Sequence, residues 1–244
     1  MRYLLRLQYI GTRYHGWQVQ TNAPAVQPLI QDALEAVFGH RPGVSGCSRT
    51  DSGVHANEYF CHFDSNRELT PYRILCAMNK ELPEDVAVTD CRIVPPDFHA
   101  RYSVKGKEYV YRILNTRHRR PMEAGRAYHY RYPLDAEGLD RAARDFVGTH
   151  DFSAFCAMGA KEGDRRRTVT DARVERQGDM VIFRVSADGF LYNMVRIMVG
   201  TLLRISEGKI PPDGIPAIIA SKDRGQAGPT APAEGLYLNH VYYE

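Results

Sequence analysis

The chain has little of what marks a secreted, membrane-spanning or metal-dependent protein. It carries five cysteines (Cys47, Cys61, Cys76, Cys91 and Cys156), an odd number at wide spacings, with no Cys-x-x-Cys pair. That pattern argues against a disulfide framework and a zinc site and for reduced thiols in the cytoplasm. Met1-Arg2-Tyr3 leads straight into a strand-like run with no apolar segment and cleavage site behind it, so no secretion signal is expected. The longest apolar stretch, Phe190 to Ile205, is broken by Asn193, Arg196 and Arg204. It is too short and too polar to span a bilayer, and no membrane partner is expected. The chain also lacks a phosphate-binding glycine loop, a dinucleotide fingerprint and a metal motif, so no metal, nucleotide or other cofactor is expected. There is one tryptophan, Trp17, read as a packing residue in preference to a base-stacking one.

What is present is globular. The chain has 244 residues, 43% hydrophobic and 25% charged, enough for one large domain or two small ones. The net charge is only +3, but the basic residues are unevenly placed. Between Arg101 and Arg131 nine of them (Arg101, Lys105, Lys107, Arg112, Arg117, Arg119, Arg120, Arg126 and Arg131) face two acids, Glu108 and Glu123. Tyr102, Tyr109, Tyr111, Tyr128 and Tyr130 are interleaved with them. Of the 32 basic residues 26 are arginine, the side chain that forks onto phosphate and stacks on bases. Basic residues mixed with aromatics favour single-stranded or loop RNA over a membrane or a small acidic ligand.

Hydrophobic periodicity predicts strands over Tyr3–Ile10, near Val44, over Glu58–Phe63 and over Val86–Val94. Helices are predicted over Val26–Phe38, closed by Gly39, and from Thr70-Pro71, with Thr70 as N-cap. The order is β-α-β-β-α-β. The second half reads similarly: a strand over Lys107–Leu114, a helix over Asp135–Val147, and a hairpin of Thr168–Arg176 with Met180–Ala187. Helices over Phe190–Ile205 and Ile215–Ser221 and a strand over Tyr237–Tyr243 follow. The fold class is therefore α+β, with an N-terminal half over 1–102 and a C-terminal half over 103–244. A cleft between such halves, lined by the basic segment, is the expected place for a substrate.

Two charged residues invite a chemical reading. Asp51 lies in Gly46-Cys47-Ser48-Arg49-Thr50-Asp51-Ser52-Gly53-Val54-His55-Ala56, a glycine-bracketed segment of small and hydroxylic residues that reads as a loop. Taken alone, Asp-Ser-Gly is ordinary turn chemistry. Arg196 lies in a helix that is apolar nearly all round and shares a narrow strip with Asn193 and Gly200. Unless that strip reaches solvent, a buried guanidinium there needs a carboxylate or phosphate. Asp51 is the partner expected, held ionised and oriented by the pair, as a carboxylate nucleophile must be.

Seven segments together resemble the tRNA pseudouridine synthase A (TruA) family over nearly the whole chain. They are Tyr14-His15-Gly16-Trp17-Gln18, Arg49 to Ala56, Phe98-His99-Ala100-Arg101, Lys107 to Ile113, Gly148-Thr149-His150-Asp151-Phe152, Gly189 to Arg196, and Ala227-Gly228-Pro229-Thr230-Ala231-Pro232. Cys47-Ser48 stands where the family commonly has Ala-Gly, and Pro28 falls inside the first helix pattern. The resemblance implies a mixed, mainly antiparallel sheet flanked by helices, built from two related βαββαβ-like halves. It implies isomerisation of uridine to pseudouridine at positions 38, 39 and 40 of the tRNA anticodon stem-loop, with tRNA as partner, a homodimer and no cofactor. Asp51 matches the family's nucleophile; attack on the uracil ring, attack on the ribose and prior removal of a ribose proton all fit these residues. Tyr109 matches the active-site tyrosine, which stacks on the extruded uracil and serves in proton transfer, and Arg196 the arginine paired with the aspartate.

Arg49 is expected to take a phosphate or fill the space left by the flipped base, and Arg167 to contact RNA. His55 is ranked as structural support. Two other readings are open. A non-catalytic RNA-binding protein would account for the basic segment but not for the carboxylate. A glycoside-cleaving hydrolase would use Asp51 and Glu58 as paired acids and release free uracil.

Overall fold

Strand β1 (Arg2–Tyr9) does not keep the alternation of a half-buried strand: Tyr3, Leu4, Leu5 and Leu7 are each at most 1% exposed. It lies between two antiparallel neighbours, β3 (His55–Asp64) and β4 (Val86–Val94). Tyr3 and Phe63 face each other across β1 and β3 with ring centroids 5.3 Å apart, and Phe38 closes on both. Phe38 ends helix α1 (Val26–Phe38), where periodicity expects a stripe of Val26, Leu29, Ile30, Ala33, Leu34 and Val37; Leu29 and Val37 are only half-buried, and Phe38 is buried with the other four. Pro28 is tolerated because it sits in the first turn, where the backbone N–H has no helical partner to lose. Helix α2 (Pro71–Glu81) has Thr70 at the cap position and Pro71 at its first residue, but the Thr70 hydroxyl makes no capping bond. The short strand β2 (Val44–Gly46) pairs antiparallel with the end of β3.

The computed structural model describes residues 1–159 and 163–243. They fall into two units, Met1–Lys105 with the residues from Tyr237 on, and Gly106–Leu236. No helix among the described residues is long and apolar enough to cross a membrane.

The second unit shares only part of the first's order, since two short strands are added and the strand after its last helix belongs to the first unit. Strand β5 (Gly106–Leu114) carries the two-residue parallel strand β6 (Tyr128–His129). Helix α3 (Ala136–Ala143) and strand β7 (Gly148–Asp151) precede the hairpin of β8 (Arg166–Gln177) and β9 (Met180–Ala187). Strand β9 pairs antiparallel with both β5 and β8, as β3 does with β1 and β2 in the first unit. The helix expected over Asp135–Val147 is shorter, tightening into a 3-10 turn at Arg144–Phe146. That turn sets Phe146 against Phe155 at 5.2 Å and Phe183 at 6.4 Å.

Helix α4 (Met194–Ser206) is buried nearly all round and is followed by α5 (Ile215–Ser221). Helix α4 begins four residues later than periodicity predicts, because Asn193 sits in the left-handed region at φ 59° and breaks the run. Strand β10 (Leu236–Tyr242) then leaves the half in which its sequence position places it: Tyr237 and Leu238 pair in parallel with His55 and Ala56 of β3. Both units are thus α+β, with mixed, mainly antiparallel strand pairing and helices flanking it.

Candidate active site

In the first unit the backbone around Asp51 is tied down at several points. The chain leaves β2 at Gly46, and the Cys47 N–H donates to the Phe60 carbonyl at 2.8 Å. Tyr59, fully buried and stacked on Trp17 with centroids 4.2 Å apart, donates its hydroxyl to the Ser48 carbonyl at 2.5 Å. Thr50 is buried, and its Oγ1 lies 2.8 Å from the Tyr9 hydroxyl. The Val54 N–H closes a turn onto the Asp51 carbonyl at 3.1 Å, and the Gly53 N–H donates to the Tyr14 carbonyl at 3.0 Å. Asp51 itself is half-buried and Arg49 is exposed.

The Tyr14-His15-Gly16-Trp17 segment is the floor of this loop. Gly16 has φ 89°, and a Cβ there would lie 2.2 Å from the Thr50 carbonyl oxygen, so only glycine lets the two backbones meet. Tyr14 and Arg13 fix the segment by donating to the two Asp85 oxygens at 2.6 and 2.7 Å. Burial pushes the Asp85 carboxyl up, but these two bonds outweigh it and hold it below the usual carboxylate range. Burial and the Asp85 bond push the Tyr14 phenol up to about 12, so it stays a donor. His55 is 1% exposed, accepts the Gly11 N–H on Nδ1 at 2.9 Å and stacks on Tyr237 at 4.5 Å. A ring nitrogen that accepts an amide proton carries none itself. Glu58, weighed as a second acid, is spent on β10: its Oε1 takes the Val241 N–H at 3.1 Å and lies 2.9 Å from His240 Nδ1.

The second unit gathers Tyr109, Tyr111 and Arg196 around one face of β5. Tyr109 is 7% exposed, and its ring meets the edge of Phe190 at 4.9 Å and 81°. Tyr111, two residues on and so on the same face, is fully buried and donates to the Pro232 carbonyl at 2.7 Å. Burial pushes its phenol well up, while the neighbouring Arg196 charge pulls the other way. Arg196 is half-buried. Its Nε donates to the Ala231 carbonyl at 2.6 Å and its Nη1 to Asn193 Oδ1 at 3.0 Å. The Ala231 N–H returns a bond to the Arg196 carbonyl at 3.0 Å.

The Ala227–Pro232 segment, only a motif in the sequence, is therefore the strap that holds Arg196. It can lie this close because a Cβ on Gly200 of α4 would stand 1.7 Å from the Pro229 carbonyl oxygen. Thr201 Oγ1 accepts the Gly228 N–H at 2.9 Å and pins the same contact. Periodicity puts Arg196 and Gly200 on one strip and asks for an anion, Asp51, beside Arg196; it gives no sign that the strip also meets the Ala231 carbonyl and the Pro229 backbone. Arg167 on β8 is half-buried. Its Nη1 donates to the Asp164 and Arg166 carbonyls, and its Nε passes 3.3 Å from where a Cβ of Gly189 would lie, next to Phe190.

The basic run through and after β5 is partly neutralised. Arg112 pairs with Glu123 at 3.5 Å and Arg120 with Asp179, and Arg131 lies 4.8 Å over the Tyr132 ring. Arg117 and Arg119 are exposed and, among the described residues, in no ion pair.

A family model described as tRNA pseudouridine synthase matches residues 7–103 and 142–244. The tRNA pseudouridine synthase A of Acetivibrio thermocellus is 47% identical over 239 residues, covering 98% of both chains. Those of Clostridium acetobutylicum and Halalkalibacterium halodurans are 43% and 44% identical, over 98% and 95% of this chain and 98% and 89% of theirs. A solved Cbf5-Nop10-Gar1 complex aligns over 80% of this chain and 52% of that one at 12% identity and a TM-score of 0.37, too distant a likeness to reason from.

Proposed function

The chain belongs to the tRNA pseudouridine synthase A family, and from that membership we propose that it isomerises uridines 38, 39 and 40 of the anticodon stem-loop with Asp51 as nucleophile. At the coarser level it is an isomerase that converts uridine to pseudouridine in tRNA. The observation that carries the residue assignment is the pinned Thr50–Val54 backbone, which fixes a half-buried carboxylate on a loop otherwise made of small residues.

The reaction breaks the bond from ribose C1′ to uracil N1, turns the ring, and joins C1′ to C5. C5 loses a proton and N1 gains one, so no oxidant or cofactor enters the balance. Asp51 supplies the nucleophile for the first stage. Tyr109, rigid against Phe190, stacks on the extruded uracil and handles the proton at C5. Arg196 supplies the positive charge that keeps the Asp51 carboxyl ionised. Arg49 faces the RNA from the exposed side of the loop, and Arg167 contacts RNA from β8. The enzyme works on tRNA as a homodimer in the cytoplasm, without metal or nucleotide.

The test is an unmodified tRNA anticodon arm with uridines at 38 to 40, treated with wild type and with Asp51→Ala and analysed for nucleosides. Pseudouridine from the wild type alone is the expected result. Turnover by the variant would sink the assignment of Asp51. Free uracil would mean a glycosidase, and tight binding without any product would mean a binding protein.

A further inference from the structure

We propose that Asn193 is a positioning residue that aims the Arg196 guanidinium without neutralising it. The inference rests on the reading of Arg196 as part of the reaction machinery.

Asn193 is the N-cap of α4, yet its side chain makes no capping bond and its backbone is left-handed at φ 59°, ψ 11°. An N-cap residue ordinarily has extended backbone angles, which turn its side-chain oxygen onto the free amides of the first turn. Here the left-handed backbone turns it elsewhere: Oδ1 accepts Nη1 of Arg196, three residues on, at 3.0 Å. Among the described residues only Asn193 and Lys222 adopt positive φ without being glycine, and this region is one that residues with a Cβ enter reluctantly. The unusual backbone and the unusual use of the side chain have one common result, a carboxamide oxygen on the guanidinium.

The second bond, from Nε to the Ala231 carbonyl at 2.6 Å, fixes the other side of the group. Two bonds from different nitrogens define the guanidinium plane, and neither uses Nη2. Both acceptors are neutral amide oxygens. A carboxylate at position 193 would orient the group equally well but cancel its charge. An amide orients it and leaves the charge for an anion outside the pair.

The choice of variants separates aim from charge and from fold. Asn193→Gly keeps a backbone at ease with positive φ and removes only the carboxamide. Single-turnover pseudouridine formation should fall about 10- to 100-fold, as for a misaimed catalytic group, with tRNA affinity and Tm unchanged. Asn193→Asp restores the acceptor with a charge; Tm should hold or rise while the rate still falls. A side chain that served only the fold would let Asn193→Asp react at the wild-type rate. Arg196→Met is the reference. Combining it with Asn193→Gly should slow the reaction no further than Arg196→Met alone.

Wild-type rates for Asn193→Gly beside a strongly slowed Arg196→Met would overturn the positioning role and spare Arg196. Full turnover by Arg196→Met would remove the reading of Arg196 and this inference with it. A further loss in the double variant, as large as in the wild-type background, would show that Asn193 acts by another route and would also overturn it.

Discussion

The Tyr9 hydroxyl and Thr50 Oγ1 meet at 2.8 Å in a buried contact one residue before Asp51. The bond ties the loop to β1, whose Tyr3, Leu4, Leu5 and Leu7 are all buried, so the loop has the rigidity of the core under it. Thr50→Val keeps the side-chain shape but deletes the oxygen. Stability should drop by about 1–3 kcal/mol, the cost of breaking a buried hydrogen bond. The rate should fall with tRNA affinity unchanged. Urea denaturation and single-turnover assays read the two effects, and a variant as stable and as fast as the wild type would show that the contact is idle.

Gly200 makes a sharper test of the strap over α4. An added methyl would stand 1.7 Å from the Pro229 carbonyl oxygen, which is backbone and has nowhere to turn. Gly200→Ala should cost about 1–3 kcal/mol or more as an overpacked contact. It should also slow the reaction, because the displaced segment carries the Ala231 carbonyl that Arg196 holds. Normal melting with normal rates would contradict the close approach.

Acid stability should carry the mark of His62. The ring is 5% exposed, accepts the Ala100 N–H on Nδ1 at 3.1 Å, and has the His99 ring 4.6 Å away. Burial pushes its pKa down to about 4, with Arg2 and His99 acting the same way and Asp64 opposing them. An unfolded histidine titrates near about 6.5, so between about 6.5 and about 4 the unfolded chain binds the extra proton. This group therefore lowers stability as the pH falls through that window and adds no further loss below it. The urea midpoint should decline over that range in the wild type and less steeply in His62→Gln. Parallel slopes would mean that His62 takes up its proton in the folded state.

Binding to tRNA should weaken with salt through release of counterions. The paired residues Arg112 and Arg120 should matter little, since their charge is already partly met. Replacing the exposed Arg117 and Arg119 by alanine should each reduce the slope of log affinity against log salt by about one. An unchanged slope would place this run outside the RNA interface.

The sequence made some of this legible and concealed the rest for identifiable reasons. Helix α1 and strand β4 begin and end where periodicity puts them, because each has one strongly apolar face and clear punctuation, such as Gly39 after α1. The start of α4 was not legible: Leu191, Met194 and Val195 continue the helical stripe, and nothing in the letters shows that Asn193 takes a left-handed backbone. Strands β6 and β7 are too short to show a period. The parallel pairing of β10 with β3 joins residues about 180 positions apart, and alternation specifies a face but never a partner. In the site, the glycine-rich segment around Asp51 announced a loop. The clamp on Arg196 did not announce itself, because a carbonyl at Ala231 is invisible in a side-chain alphabet.

The parallel pairing of Tyr237 with His55 also imposes an order of assembly. As the chain leaves the ribosome, β3 emerges long before β10, and everything from Gly106 to Leu236 is made in between. The nascent first half must wait with one stretch of its sheet unclaimed, and the ring beneath His55 arrives only after the second unit has been made. The second unit is complete by then. Completion of this edge of β3 is thus timed by translation of the second unit, and fragments that stop before Tyr237 lack the strand that pairs with it.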